Sequence, residues 1–123
     1  MVRALGIAVA IVALGSTAAL AAGDAAKGVT IFNRCAICHS NTKGAPNKIG
    51  PNLFGVVGRK AGTAPGFSYT GAMKNSGITW TEDKLEAYVQ HPALVVPGNK
   101  MAFAGLSSPA QADDLVAYLA TLK

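Results

Sequence analysis

Toward the end of the chain the apolar residues keep the period of a helix. Leu115, Leu119 and Leu122 fall at i, i+4 and i+7, with Val116 and Tyr118 alongside. Just upstream, Ser108-Pro109-Ala110-Gln111 has the form of a capping box with proline at the first helical position, so an amphipathic helix begins there. Another helix is predicted from residue 25 to about residue 34: Asp24 is its N-cap, and Gly28, Ile31 and Phe32 share one side. Glycine inside a short helix costs stability, and a close crossing with the terminal helix at Gly28 would offset that cost. Thr81 caps a third helix over residues 82–90, where Glu82 and Asp83 favour the dipole, Leu85, Tyr88 and Val89 form the inner stripe, and Pro92 disfavours continuation. Residues 93–96 read as a short turn. Between residues 39 and 80 the period dissolves into glycine, proline, asparagine and lysine, with one helical turn over residues 71–75 stopped by Gly77, and no strand pattern. The fold class is therefore all-α, with helices joined by long loops. So long an irregular stretch in a small domain calls for a ligand to wrap or a function for the loop.

The first residues carry no such period. Arg3 precedes an apolar run over residues 4–14, Gly15 and Ser16 break it, and Ala19-Leu20-Ala21 offers small residues to a signal peptidase. Residues 1–21 are accordingly expected to be a cleaved signal peptide; an uncleaved anchor is the alternative, but anchors usually run to about 20 apolar residues. Residues 22–123, which are 102 of the 123, then form one exported domain with no stable membrane insertion. Without Arg3, ten basic residues face six acidic ones, a balance of +4. No basic run is long enough to suggest nucleic acid or an anionic membrane, which leaves an acidic protein partner.

Candidate chemistry concentrates in Cys35-Ala36-Ile37-Cys38-His39. Covalent haem attachment needs two thiols at this spacing to add to the porphyrin vinyl groups, and a histidine directly after them to reach the iron. A redox-active dithiol uses the same Cys-x-x-Cys, and a tetrahedral zinc site could use the same pair. The chain has only two cysteines to offer zinc, and its other histidine, His91, stands alone downstream. A thioredoxin-type dithiol needs a strand feeding a helix, whereas residues 28–34 read as helix running into the motif. With both cysteines occupied by one haem c, no structural disulfide is expected, and the cofactor supplies apolar bulk to a core this small.

The mature chain resembles the class I cytochromes c of the mitochondrial type, as in the soluble carriers of alphaproteobacteria. The resemblance is carried by Gly23-Asp24-Ala25-Ala26-Lys27-Gly28, by the haem motif, by Lys48-Ile49-Gly50-Pro51-Asn52-Leu53, Gly58-Arg59-Lys60 and Ala64-Pro65-Gly66-Phe67-Ser68-Tyr69. It continues through Gly77-Ile78-Thr79-Trp80, Pro97-Gly98-Asn99-Lys100-Met101-Ala102-Phe103-Ala104-Gly105 and Asp114-Leu115-Val116-Ala117-Tyr118-Leu119. It implies a small cytochrome c fold wrapped around one haem c bound through Cys35 and Cys38, with His39 and Met101 as iron ligands. Pro51 would hold the second ring nitrogen of His39 through its carbonyl, and Arg59, Tyr69 and Trp80 would hold the propionates. Tyr88 would lie beside Met101, and Phe103 would cover the haem edge.

Outside that resemblance the same residue types have plainer readings: a methionine is usually core filler, an arginine solvated and a tryptophan core. His91 is read as an exposed residue at a helix end. The chain also departs from its relatives. Met73 stands where most carry asparagine, Asn99 where animal relatives carry threonine, and Ala93, Leu94, Ser107 and Ser108 where many carry docking lysines. The implied function is that of a monomeric periplasmic electron carrier, not an enzyme. It would shuttle one electron between a quinol-oxidising cytochrome complex and a terminal oxidase or photosynthetic reaction centre, docking on acidic patches of these membrane-bound complexes. A haem enzyme or gas sensor with an open iron site and a haem-free dithiol reductase are the rival readings.

Overall fold

A computed structural model describes residues 8–12 and 23–123 of the chain. Residues 1–7 and 13–21 of the expected leader lie outside the described residues, and no described helix is long and apolar enough to cross a membrane. The helices, in chain order, are α1 (Ala25–Phe32), α2 (Gly71–Lys74), α3 (Glu82–Gln90), α4 (Pro92–Val95) and α5 (Pro109–Leu119). Among the described residues the only β-type pairing is an isolated antiparallel bridge between Lys60 and Thr79. The fold is small and all-α.

Every helix but α4 starts where a short polar side chain accepts a free backbone N–H. Asp24 Oδ1 accepts from the Ala26 and Lys27 N–H groups at 2.9 and 3.3 Å, and Thr81 Oγ1 from Lys84 at 3.3 Å. Ser108 Oγ accepts from Gln111 at 3.3 Å. Helix α1 ends at Phe32, two residues earlier than expected, because Asn33 and Arg34 donate to Thr30 and Ile31 in the tighter three-residue pattern. The same winding continues through the cysteines, where the Cys38 and His39 N–H groups both donate to the Cys35 carbonyl. Leu122, expected on the last helix, lies beyond its end, and its carbonyl accepts from the Gly55 N–H at 2.7 Å. Where a turn was expected at residues 93–96, a one-turn helix starts at Pro92, whose fixed φ suits a first helical position.

Helices α1 and α5 cross at Gly28. An added Cβ there would fall on the Asp114 carbonyl oxygen and lie 2.6 Å from Tyr118 Cβ. The crossing is tied by the Asp24 N–H, which donates to Asp114 Oδ1 at 2.8 Å, and by the Phe32 and Tyr118 rings, 5.3 Å apart. Helix α3 packs on α5 from another side, and α4 follows α3. Burial raises the Glu86 carboxyl above its ordinary value, and the nearby Asp113 carboxylate adds to the rise. Between the helices lies a core of Val56, Trp80, Leu85, Val96, Leu106, Leu115 and Leu119. The long loops are fastened to it at a few points. Ala61 donates to the Ile78 carbonyl at 2.8 Å, and Trp80 donates to Arg59 at 2.8 Å. Gly105, at φ +108, passes so close to the Gln90 carbonyl oxygen that a Cβ would collide with it.

Gly28→Val should therefore destabilise the protein by about 3 kcal/mol or more, at or beyond the upper end for overpacking, because the obstruction is backbone. Helix propensity alone predicts the opposite sign, since valine is the better helix former. The denaturant midpoint of the variant decides between them, and a rise would sink the close crossing.

Candidate functional site

The loops and helices enclose a cavity of about 480 Å³, within the range of cofactor sites. All ten residues singled out from the sequence line it: Cys35, Cys38, His39, Pro51, Arg59, Tyr69, Trp80, Tyr88, Met101 and Phe103. Leu53, Val56, Leu85, Leu115 and Leu119 complete apolar walls, and none of the described lining residues is acidic. A second, more open hollow of about 390 Å³ shares the Arg59 wall but holds neither thiols nor thioethers.

His39 is held from behind. Its Nδ1–H donates to the Pro51 carbonyl at 2.7 Å, which fixes the tautomer and leaves the Nε2 lone pair free. Burial lowers its pKa, against the opposing effect of that hydrogen bond and with help from the Lys48 and Arg59 charges, so the ring is neutral and able to ligate. Sequence reasoning gave Gly50 no role, yet a Cβ there would strike the ring, lying 2.7 Å from Nδ1 and 2.8 Å from Nε2. Only the motif's closeness in sequence to Gly50-Pro51 could have hinted at this. The Cys35 thiol is pushed up chiefly by burial, the reverse of the lowered pKa that makes a dithiol reactive.

Met101 sits half-buried in a loop that Asn99 braces. The Asn99 amide donates to the Val96 carbonyl at 2.9 Å, and its Oδ1 accepts from the Met101 N–H at 2.9 Å. Asn99 thus bonds both ends of the turn. Tyr88 packs its ring against Trp80, centroids 4.8 Å apart, and desolvation pushes its phenol up to about 12, so it stays neutral. Met73 also lines the cavity from α2, whose start is capped by Thr70.

Arg59 and Tyr69 each use part of their hydrogen-bonding capacity on the backbone. Arg59 Nη1 donates to the Asn52 and Phe54 carbonyls at 3.1 and 3.3 Å, while Tyr69 Oη accepts from the Ala64 N–H at 3.0 Å. Further guanidinium N–H groups and the phenol proton remain available to a carboxylate. Two asparagines that sequence reasoning passed over support this side. Asn47 accepts from the Asn52 N–H and donates to the Pro65 carbonyl, both at 2.8 Å, and Asn52 donates to the Thr42 and Ala45 carbonyls.

A paired thiol, a neutral imidazole, a thioether and a set of carboxylate-binding donors around one apolar cavity fit a flat apolar cofactor with acidic side arms and a metal at its centre. A family model described as Cytochrome c matches residues 25–123. The chain is 50% identical over 106 residues to cytochrome c2 of Rhodomicrobium vannielii, covering 86% of this chain and 85% of that protein. It is 49% identical over 98 residues to cytochrome c of Arabidopsis thaliana, covering 79% of this chain and 88% of that one. Among solved structures, cytochrome cH from Methylobacterium extorquens superposes with a TM-score of 0.76 at 45% identity, over 80% of this chain and 99% of that one.

The Asn99 brace predicts that Asn99→Ala frees the Met101 amide. Loss of that hydrogen bond, worth about 1 kcal/mol, corresponds to roughly fivefold faster exchange. Amide hydrogen exchange measures it, with the Val56 amide as an internal reference; unchanged protection at Met101 would show that the loop is held by something else.

Proposed function

The chain belongs to the cytochrome c family and carries one covalently bound haem c, and from that premise we propose that it is a periplasmic shuttle passing single electrons from a quinol-oxidising cytochrome complex to a terminal oxidase or a photosynthetic reaction centre. The coarser statement, that it is a single-haem electron carrier, has the support of family membership and of relatives named cytochrome c2 and cytochrome c-550. The observation that carries the reading is one cavity lined by both an imidazole and a thioether, which could both donate to an iron.

The haem supplies a one-electron couple, and the protein's residues set its terms. Cys35 and Cys38 would anchor it, His39 Nε2 and Met101 Sδ would donate to its iron, and Arg59, Tyr69 and Trp80 would hold its carboxylates. A soft thioether in a dry cavity favours the reduced state and raises the potential. The Pro51 carbonyl and the Asn99 amide hold the two ligands in place, so little has to move when the charge changes. Phe103 and the neutral Tyr88 help to keep water from the thioether side. Were His39 and Met101 both to donate to the iron, no position on it would be left for a substrate, which favours a carrier over an enzyme. The monomer is its working form, and acidic patches on its membrane-bound partners match its basic balance. Export rests on the charged, apolar and small-residue order of residues 1–21, and a mature chain beginning at Ala22 in the periplasmic fraction would agree with it.

Met101→Ala should abolish the weak ferric absorption of a methionine–iron bond, lower the potential and admit carbon monoxide, whereas Met73→Ala should keep a six-coordinate spectrum. Loss of the band in Met73→Ala instead would overturn the ligand assignment. A high-spin wild-type spectrum would favour a sensor or enzyme.

A further inference from the structure

The segment that begins with His39 is stitched together by hydrogen bonds that stay among the loops. The Gly50 N–H donates to the Cys38 carbonyl at 2.8 Å, the Leu53 N–H to the Ser40 carbonyl at 2.9 Å, and the Ser40 hydroxyl to the Pro46 carbonyl at 2.6 Å. Together with the bond from His39 Nδ1 to the Pro51 carbonyl, they make residues 39–53 one unit that carries both the imidazole and its acceptor. On its α1 side this unit is held by the continuous winding of residues 33–39.

Toward α5 the attachment is different. Among the described residues, only one hydrogen bond joins residues 39–53 to a helix: Asn41 Nδ2 donates to Tyr118 Oη of α5 at 2.7 Å, across 77 positions of sequence and with both side chains half-buried. The nearest other tie, from the Gly55 N–H to the Leu122 carbonyl, lies past both residues 39–53 and the end of α5. Tyr118 is itself fixed, since its Cβ lies at the Gly28 crossing and its ring packs on Phe32. Its hydroxyl is therefore a set point of the helical frame, and Asn41, two residues after His39, is tied to it.

Resting on the ligand role proposed for His39, we infer that Tyr118 is a positioning residue for that imidazole: through Asn41, its hydroxyl sets the unit of His39 and Pro51 against the frame of α1 and α5. A metal-bound histidine depends on the partner of its other ring nitrogen for orientation and basicity, so a residue that holds both acts on the ligand without touching it. The sequence shows Tyr118 only as a member of the terminal helical stripe, because the asparagine that meets it is far away in the chain.

The test uses the haem-loaded ferrous protein, with the His39 ring protons followed by NMR. Tyr118→Phe removes the hydroxyl and keeps the ring on Phe32, Asn41→Ala removes the other partner, and a third variant combines them. Exchange of the His39 Nδ1–H and of the Leu53 N–H is compared with that of the Leu85 N–H, which donates to the Thr81 carbonyl at the start of α3 and reports on the rest of the fold. Each single variant should raise both exchange ratios to Leu85 about fivefold, and the double variant should do no more, since all three break the same bond. Lys43→Ala, a change at an exposed side chain of the same segment, should keep the wild-type ratios. A merely structural role would speed the Leu85 proton as much as the others. Ratios at or below the wild-type value, or a rise in Tyr118→Phe that Asn41→Ala does not share, would overturn the positioning role. His39 ring protons without the large shift of an imidazole standing over a porphyrin would overturn the ligand role and the inference with it, whereas unchanged ratios in a protein that shows the shift would overturn the positioning alone.

Discussion

The close passage of α1 over α5 at Gly28 is the constraint on which the rest of the structure depends. With no side chain at that point, the Asp114 carbonyl and the Tyr118 Cβ can approach the α1 backbone, and the two ends of the domain lock together. The lock places Phe32 against Tyr118 and starts the tight winding that runs through Cys35 and Cys38. It also presents Leu115 and Leu119 to the cavity as a rigid wall. A domain of this size has little core to spare, and its loops are anchored to that frame at separate hydrogen bonds rather than by strands.

Inside the frame, low polarity and fixed hydrogen bonds act together. Burial lowers the pKa of His39, which favours its neutral form, and pushes the Tyr88 phenol up to about 12. The polar groups that are present are already committed: Pro51 to His39, Asn99 to the Met101 turn, and Asn52 to the loop that also receives Arg59. Ligands held this way suit electron transfer, which gains from a site that need not reorganise. Met73 adds another apolar side chain to the cavity lining.

The carboxylates of the described residues lie on α3, α5 and at the start of α1, and the cavity lining holds Arg34, Arg59 and Lys100 but no acidic residue.

What could be read from the sequence was whatever is settled within a few residues. The caps at Asp24, Thr81 and Ser108, the stop before Pro92, the helical stripe as far as Leu119 though not Leu122, and the Cys-Ala-Ile-Cys-His motif all depend on neighbours a turn away, and the bounds of α3 were legible in full. Gly28 announced itself because an unexplained glycine in a helix implies a close neighbour. Other features depend on which distant backbone arrives where. Gly50 matters only because the His39 ring lies against it, and Asn47 only because the Pro65 carbonyl comes within reach. Local chemistry specifies turns, caps and covalent attachment, while contacts between segments far apart in the chain exist only once the whole fold has paid their closure entropy, and so only the tertiary structure decided them.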